Sequence, residues 1–565
     1  MIWRISGVLS VSLLLAACAA GPRVPAADTL SSEQQFSTPE AELNYRLLLG
    51  EIALSRNELG AAADEYLRAT QLSDDPGIAE RAVQLSLHLE RTTDAAAAAQ
   101  RWRELEPGAT GPLEVEVVIA LRNGDQALAQ RRVAALLDAW GGPSAEAFQS
   151  LGRILVDEPD RKAAATVMQR VAAQHDHPAA WQVLGLLALR AQETAVARHA
   201  AQRARVLEPE STQAAVLEAR VLALTGESER GLALMRATVA EHPNDPTLRF
   251  ALAGLYLAAE QNTEALFELE QVVATVPAYT DARWALAVLL MQMGELDAAE
   301  PHFEALLADP MRRWDIPYYL GGIHEQRGDL RAALEWFDQV EWGDNLLNAR
   351  IKAAHMLMQL GQTDDARARL EHLHRDFPDE RARLFRIEAG WLARAGDEAG
   401  ALAIYNHALD MLPGDIEVLY ARALHHERSG RVDAAIADLR RVNALQPGSA
   451  EAQNALGYVL ADRGPPQSWE EARALIAQAL TQEPDNAAFL DSMGWVLYRL
   501  GDLENARVWL ERAWSLQPDA EIGAHLGEVL WRQELREAAH AVWERAAGLQ
   551  PDHPVLVETL DRLVR

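Results

Sequence analysis

Cysteine is all but missing. The 565 residues hold one, Cys18, so no disulfide can form within the chain. Lysine is nearly as scarce, at Lys162 and Lys352 only, and arginine carries the rest of the positive charge. Neither residue forms a block beyond the first residues, and the formal net charge is −30. A phosphate-binding surface needs a basic stripe, so nucleic acid is excluded as a partner. Acidity of this size keeps a long chain soluble by self-repulsion and names no partner. Glycine and proline stay near ordinary usage, which excludes a collagen-like or disordered chain. Catalytic motifs are lacking too. There is no G-x4-G-K-[ST] phosphate loop and no G-x-S-x-G elbow. His324-Glu325 opens like a zinc-binding helix, but Gly328 stands where the second histidine belongs. His372 with His374, and His425 with His426, are too close in sequence to share a helix face. No catalytic residue, metal site or cofactor is therefore expected, and the chain is expected not to be an enzyme.

What is present begins at the N-terminus. Met1 to Arg4 carry one positive charge, an apolar run follows from Val8 to Leu15, and Leu15-Ala16-Ala17-Cys18 ends it. The run is far shorter than the ~20 residues that span a bilayer, and small residues precede the cysteine as before a signal-peptide cleavage site. The segment resembles a bacterial lipoprotein signal with its lipobox. That resemblance implies cleavage before Cys18, lipidation of its sulfur and a durable acyl anchor. Ala19, which is not Asp, then implies the outer membrane, with the chain facing the periplasm. An ordinary secretory peptide with a chance cysteine is the alternative. Residues 1–17 are read as signal peptide and 18–39 as the lipidated cysteine and a flexible tether.

Beyond residue 40 the chain is periodic. Pro209, Pro243, Pro277 and Pro310 are spaced by 34, 34 and 33 residues. Pro378, Pro413, Pro447, Pro484, Pro518 and Pro551 continue with 35, 34, 37, 34 and 33, and Asp344 stands where one proline is missing. Trp181, Leu184, Gly185, Ala197, Ala204 and Pro209 recur in phase as Met493-Gly494, Ala506, Ala513 and Pro518, and as Leu526-Gly527, Ala539, Ala546 and Pro551. This set resembles the tetratricopeptide repeat, two antiparallel helices per unit. Small residues at the Gly and first Ala let the two helices cross closely. Large ones such as Tyr66, Phe303, Phe337, Tyr405 and Trp543 are expected to fill the space between one pair and the next. Gly328, Gly361, Gly396, Gly430 and Gly501 suit a left-handed turn after the first helix, and the prolines fall between units, outside helices.

The expected fold is all-α: a tetratricopeptide-repeat superhelical solenoid of about 14–15 helix pairs with a C-terminal capping helix. The array divides into a segment over 40–240, degenerate near 107–145, a regular array over 241–553, and the cap over 554–565. The run from Arg463 to Trp469, with Pro465-Pro466, lengthens one turn.

In such arrays, positions 5, 9 and 12 of each first helix share one face. Here they read Phe250, Gly254 and Leu257; Trp284, Val288 and Met291; and Tyr318, Gly322 and Glu325. A second patch holds Tyr420, Asn454, Tyr458, Asp491, Trp495, Tyr498, Glu528 and Trp531. These residues either line a groove for another protein, as aromatic anchors do, or pack between adjacent helices. The Lys and Asn series that clamps a C-terminal carboxylate is not found.

The runs from Asn454 to Asp462, Leu490 to Gly501 and Ala524 to Trp531 are similar to the outer-membrane lipoproteins of Gram-negative bacteria that partner a carboxyl-terminal processing protease. That resemblance implies a non-catalytic adaptor that brings the protease to peptidoglycan hydrolases. A structural assembly factor for outer-membrane protein insertion or polysaccharide export is the alternative. Partner identity and oligomeric state are not readable from these residues.

Overall fold

A computed structural model describes Phe36 and residues 38–564. The signal segment and Cys18 lie outside the described residues. The described chain contains thirty-one α-helices and no strand. It divides into two compact units, one ending at Leu289 and the other beginning at Leu290.

The first unit opens with α1 (Pro39–Ser55) packed on α2 (Leu59–Ala69), and α3 (Pro76–His88) on α4 (Thr92–Leu105). Then come α5 (Gly111–Arg122) on α6 (Gln126–Ala139), followed by α7 (Ala145–Leu155) and α8 (Arg161–His175). Next are α9 (Pro178–Arg190) on α10 (Thr194–Leu207), α11 (Thr212–Leu224) on α12 (Ser228–Glu241), and α13 (Pro246–Ala258) on α14 (Asn262–Thr275). Helix α15 (Thr280–Gln292) contains the boundary between the units.

The second unit continues with α16 (Leu296–Leu306), then α17 (Ile316–Arg327) on α18 (Leu330–Asp338) and α19 (Leu346–Gln359) on α20 (Thr363–Asp376). It goes on with α21 (Arg381–Arg394) on α22 (Glu398–Met411), and α23 (Ile416–Arg428) on α24 (Val432–Leu445). The last pairs are α25 (Ala450–Asp462) on α26 (Trp469–Gln482), α27 (Ala487–Leu500) on α28 (Leu503–Leu516), and α29 (Ala520–Arg532) on α30 (Arg536–Leu549). A single helix, α31 (Pro554–Leu563), closes the unit against α29.

The local chemistry explains the boundaries. Thr38 caps α1, its hydroxyl accepting from the Ala41 amide at 3.1 Å, and Pro39 takes the first helical position. Asp245, Ser449 and Asn486 cap α13, α25 and α27 in the same way. Gly328, Gly361, Gly396, Gly430 and Gly501 adopt φ between +70° and +88° after the first helix of a pair, the conformation that L side chains resist. In other repeats Asn57, Glu90, Gln192, Glu260 and Glu534 occupy the same kind of turn at φ between 57° and 65°.

Packing within a pair centres on a notch above the glycine. A Cβ on Gly50 would sit 2.9 Å from the Tyr66 ring, one on Gly321 would sit 2.6 Å from Phe337, and one on Gly457 2.6 Å from Ile476. The large second-helix residue therefore fills the notch of its own pair, rather than only the space before the next. Phe337 and Trp543 are buried in this way, and burying such a side chain contributes roughly 2–3 kcal/mol.

The stretch 107–145 forms α5 and α6 with Gly124 at φ +72° between them. Glu116 on α5 joins three helices there, pairing with Arg103 of α4 at 2.6 Å and Arg132 of α6 at 2.8 Å. Its core positions are Val117, Ala120, Ala129 and Val133, which replace the repeat signature with generic aliphatics. The long turn after α25 contains a 3-10 turn at Pro466–Ser468, and the Ser468 hydroxyl donates to the Pro465 carbonyl at 2.7 Å.

Candidate protein-binding face

The first helix of each pair offers the face named from the sequence. In the first unit Phe250 is half-buried on α13, its ring 5.2 Å from that of Tyr279, and Trp284 is half-buried on α15. The space over Gly254 is open, with no atom within 4 Å of a built Cβ. Met291 and Tyr318 belong to the second unit. The Met291 methyl lies 3.3 Å from a Cβ built on Gly322, so this small position is already covered. The Tyr318 ring is half-buried and lies 6.0 Å from Phe337 and 5.6 Å from Tyr319, which makes it part of the core of its own pair. Glu325 pairs with Lys352 of the next first helix at 2.5 Å.

The structure brings most of the second patch together on α23, α25, α27 and α29. Trp495 is its centre. It is buried, stacks on His525 at 4.1 Å and on Tyr498 at 4.9 Å, and donates from Nε1 to Asp462 at 3.0 Å. Tyr498 donates to Glu528 at 2.7 Å, and Glu528 also holds Arg562 of α31 through two contacts at 2.8 and 2.5 Å. Tyr458 donates to Glu521, while Tyr420 packs half-buried against the core. Trp531 lies apart: it faces α30, with Trp543 at 5.6 Å, His540 at 5.5 Å and the Arg536 guanidinium 3.6 Å above its ring.

His525 was not among the sequence candidates, yet it anchors the site. Its Nδ1 is 3.0 Å from both carboxylate oxygens of Asp491, and both side chains are buried. Burial opposes its charge. The Asp491 carboxylate outweighs that, with Glu521 and Asp462 adding to it, and the imidazolium is held up to about 9. The signal was available in one form: His525 follows Asp491 by 34 residues, one repeat. Burial and neighbouring carboxylates likewise push the phenols of Tyr458 and Tyr420 up, with Glu521 foremost for the first and Glu451 for the second. Burial also raises Glu427.

Two cavities open on this face. One, of about 510 Å³, runs across α23, α25, α27 and α29 and is lined by Tyr420, Tyr458, Phe489 and carboxylates. The other, of about 690 Å³, lies beside Trp495 and Tyr498 and reaches α31. Among the described residues no group of three or more His, Cys, Asp or Glu is placed to hold a metal ion. Among the same residues no helix is long and apolar enough to cross a membrane.

Two sequence models described as tetratricopeptide repeat match the chain, one over 256–320 and one over 183–246, 216–282, 351–416, 420–466 and 467–521. Together they span more than half of the chain, which belongs to the tetratricopeptide-repeat family. Proteins of this family generally serve as scaffolds for protein–protein interaction. The chain is 29% identical over 544 residues to a TPR repeat-containing protein of Pseudomonas aeruginosa, covering 92% of this chain and 90% of that one. It is 29% identical over 133 residues to bacteriophage adsorption protein A of Escherichia coli, covering 20% of this chain and 13% of that one. Among solved structures, a thermophilic TPR protein of Thermus thermophilus is similar at 24% identity and a TM-score of 0.29, covering 33% of this chain and 99% of that one.

Proposed function

We propose that the chain is a non-catalytic scaffold, lipid-anchored through Cys18 to the outer membrane and facing the periplasm. It holds other proteins on the first-helix face of its second unit. The supporting observation is the cavity across α23 to α29, where aromatic rings stand beside carboxylates and no arginine or lysine lines the wall. Such a surface offers apolar anchoring and charge recognition together, the combination that dominates protein interfaces. In this reading the partners are a carboxyl-terminal processing protease and the peptidoglycan hydrolases brought to it, as the family likeness of α25, α27 and α29 suggests.

The test is crosslinking of the lipidated protein in cells through a photoreactive residue at Leu424, an exposed position on the cavity wall. Capture of a processing protease together with cell-wall hydrolases is the expected result. Capture of outer-membrane insertion or polysaccharide-export components instead would replace the adaptor by a structural assembly factor. Replacing Cys18 with Ser is expected to release the chain from membranes into the soluble periplasmic fraction. Retention in the membrane pellet would remove the anchor from this proposal.

A further inference from the structure

The two cavities of the second unit differ in charge. The larger one carries arginines among its carboxylates. Arg562 pairs with Glu528, Arg463 with Asp462 at 2.8 Å, and the Arg499 guanidinium donates to the Asp462 carbonyl at 2.7 Å. The smaller one has no arginine or lysine on its own walls, which carry Glu427, Glu451, Asp491, Asp519 and Glu521; Glu427 and Glu521 also line the larger cavity, where Arg428 and Arg463 stand. Asp491 is matched by His525. The other four make no ion pair among the described residues: Glu427 feels the charges of Arg463 and Arg428 without pairing with either, Glu451 accepts from its own backbone amide and the Ser449 hydroxyl, Asp519 caps α29, and Glu521 accepts the Tyr458 hydroxyl.

A second observation lies between these carboxylates. Asn454 Oδ1 is shielded from solvent and has no hydrogen-bond partner. The Asn454 side chain belongs to the same wall as Tyr420 and Tyr458. A third is the presence of two phenol rings, Tyr420 and Tyr458, half-buried on the cavity wall, since the face of such a ring attracts a cation.

We infer that the cavity across α23, α25, α27 and α29 takes a cationic peptide segment, whose arginine or lysine side chains enter beside Tyr420 and Tyr458. The carboxylates of Glu427, Glu451 and Glu521 supply the opposite charge. This names the partner chemistry of the face described under the scaffold reading and rests on it. It commits to a basic segment of another protein, presented without a fixed fold of its own, because the cavity crosses four helices as a trough and carries carboxylates with no basic side chain on its walls.

The experiment is a fluorescence-anisotropy titration of the purified full-length chain with a short labelled peptide alternating arginine and alanine. The same peptide with glutamate for arginine is the counter-probe. The arginine peptide is expected to bind, with affinity that falls as salt rises, and the glutamate peptide is not. Glu427→Gln with Glu451→Gln is expected to weaken binding roughly tenfold. Both changes conserve shape, and melting curves verify that the fold is kept.

The chain is acidic throughout, so the control is Glu260→Gln with Glu264→Gln, exposed residues of the first unit, which remove the same charge. An equal loss in the control, or equal binding of the glutamate peptide, overturns the inference. If the arginine peptide fails while crosslinking through Leu424 still captures the protease or hydrolases, the cationic assignment falls and the scaffold stands. If the peptide binds as stated and nothing is captured in cells, the cationic site stands and the scaffold reading falls.

Discussion

Asp491 and His525 form a buried ion pair between α27 and α29, with one imidazole nitrogen 3.0 Å from each carboxylate oxygen. The imidazole is also stacked on Trp495 at 4.1 Å. The pair joins two neighbouring repeats, alongside the hydrogen bond from Tyr498 of α27 to Glu528 of α29.

Its consequence is a stability that depends on pH in a stated direction. The folded-state pKa of His525 is raised from 6.5 to about 9. A raised pKa adds stability that is fully present below pH 6.5 and is lost as pH climbs through 9. The size is on the order of 3 kcal/mol before the burial of both charges is set against it. Melting followed by tryptophan fluorescence should show the second unit weakening between pH 7 and 10, and His525→Gln should flatten that slope. A wild-type slope that survives in the variant would assign the effect elsewhere. Asp491→Asn leaves the cation without its partner and is expected to cost about 3–5 kcal/mol.

The glycines of the first helices divide by what lies above them. Gly321→Ala drives a methyl to 2.6 Å from Phe337, and overpacking of this kind costs about 1–3 kcal/mol. Gly254→Ala meets nothing within 4 Å and should gain about 0.5–1 kcal/mol through helix propensity. Urea denaturation of the two variants reads the contrast directly. Similar effects of the same sign would show that the notch is not what selects glycine.

The turns make a second contrast. Gly501 sits at φ +88° and Glu260 at φ 57°. A side chain costs about 1–2 kcal/mol in that region. Gly501→Ala should therefore destabilise by about that amount, and Glu260→Gly should be neutral or stabilising. A destabilised Glu260→Gly variant would mean that the Glu260 side chain makes up for its backbone strain.

The aromatic residues separate into core and surface. Trp495 is 7% exposed and stacked on two sides, so Trp495→Ala is expected to cost about 3–5 kcal/mol and to disorder α27 against α29. Tyr420 is half-buried on the cavity wall, and Tyr420→Ala should lower the capture of partners through Leu424 with a smaller loss of melting temperature. Equal melting losses in the two variants would place Tyr420 in the core.

Much of this was legible in the residues because the repeat is a local code. A glycine that must end a helix, a proline that cannot continue one, and small residues opposite large ones are requirements of a single helix pair, and each is written within about 34 residues. The stretch 107–145 was harder to read because its core positions hold Val117, Ala120, Ala129 and Val133, which any helix accepts. The candidate site was legible as a face but not as a surface. Tyr318, Trp495 and Trp531 occupy expected positions of their repeats, yet Tyr318 leans on Phe337, Trp495 is buried between α25 and α29 groups, and Trp531 turns to α30.

The sequence by itself determined the period, the helix pairing and the turns, since these follow from contacts between residues a few tens of positions apart. Only the tertiary structure decided which aromatics are covered, that His525 meets Asp491, and that one cavity has no arginine on its walls while its neighbour does. The physical reason is that periodicity assigns a residue to a helix face, whereas its exposure and charge balance depend on how far the next repeats cover that face and which side chains they bring to it.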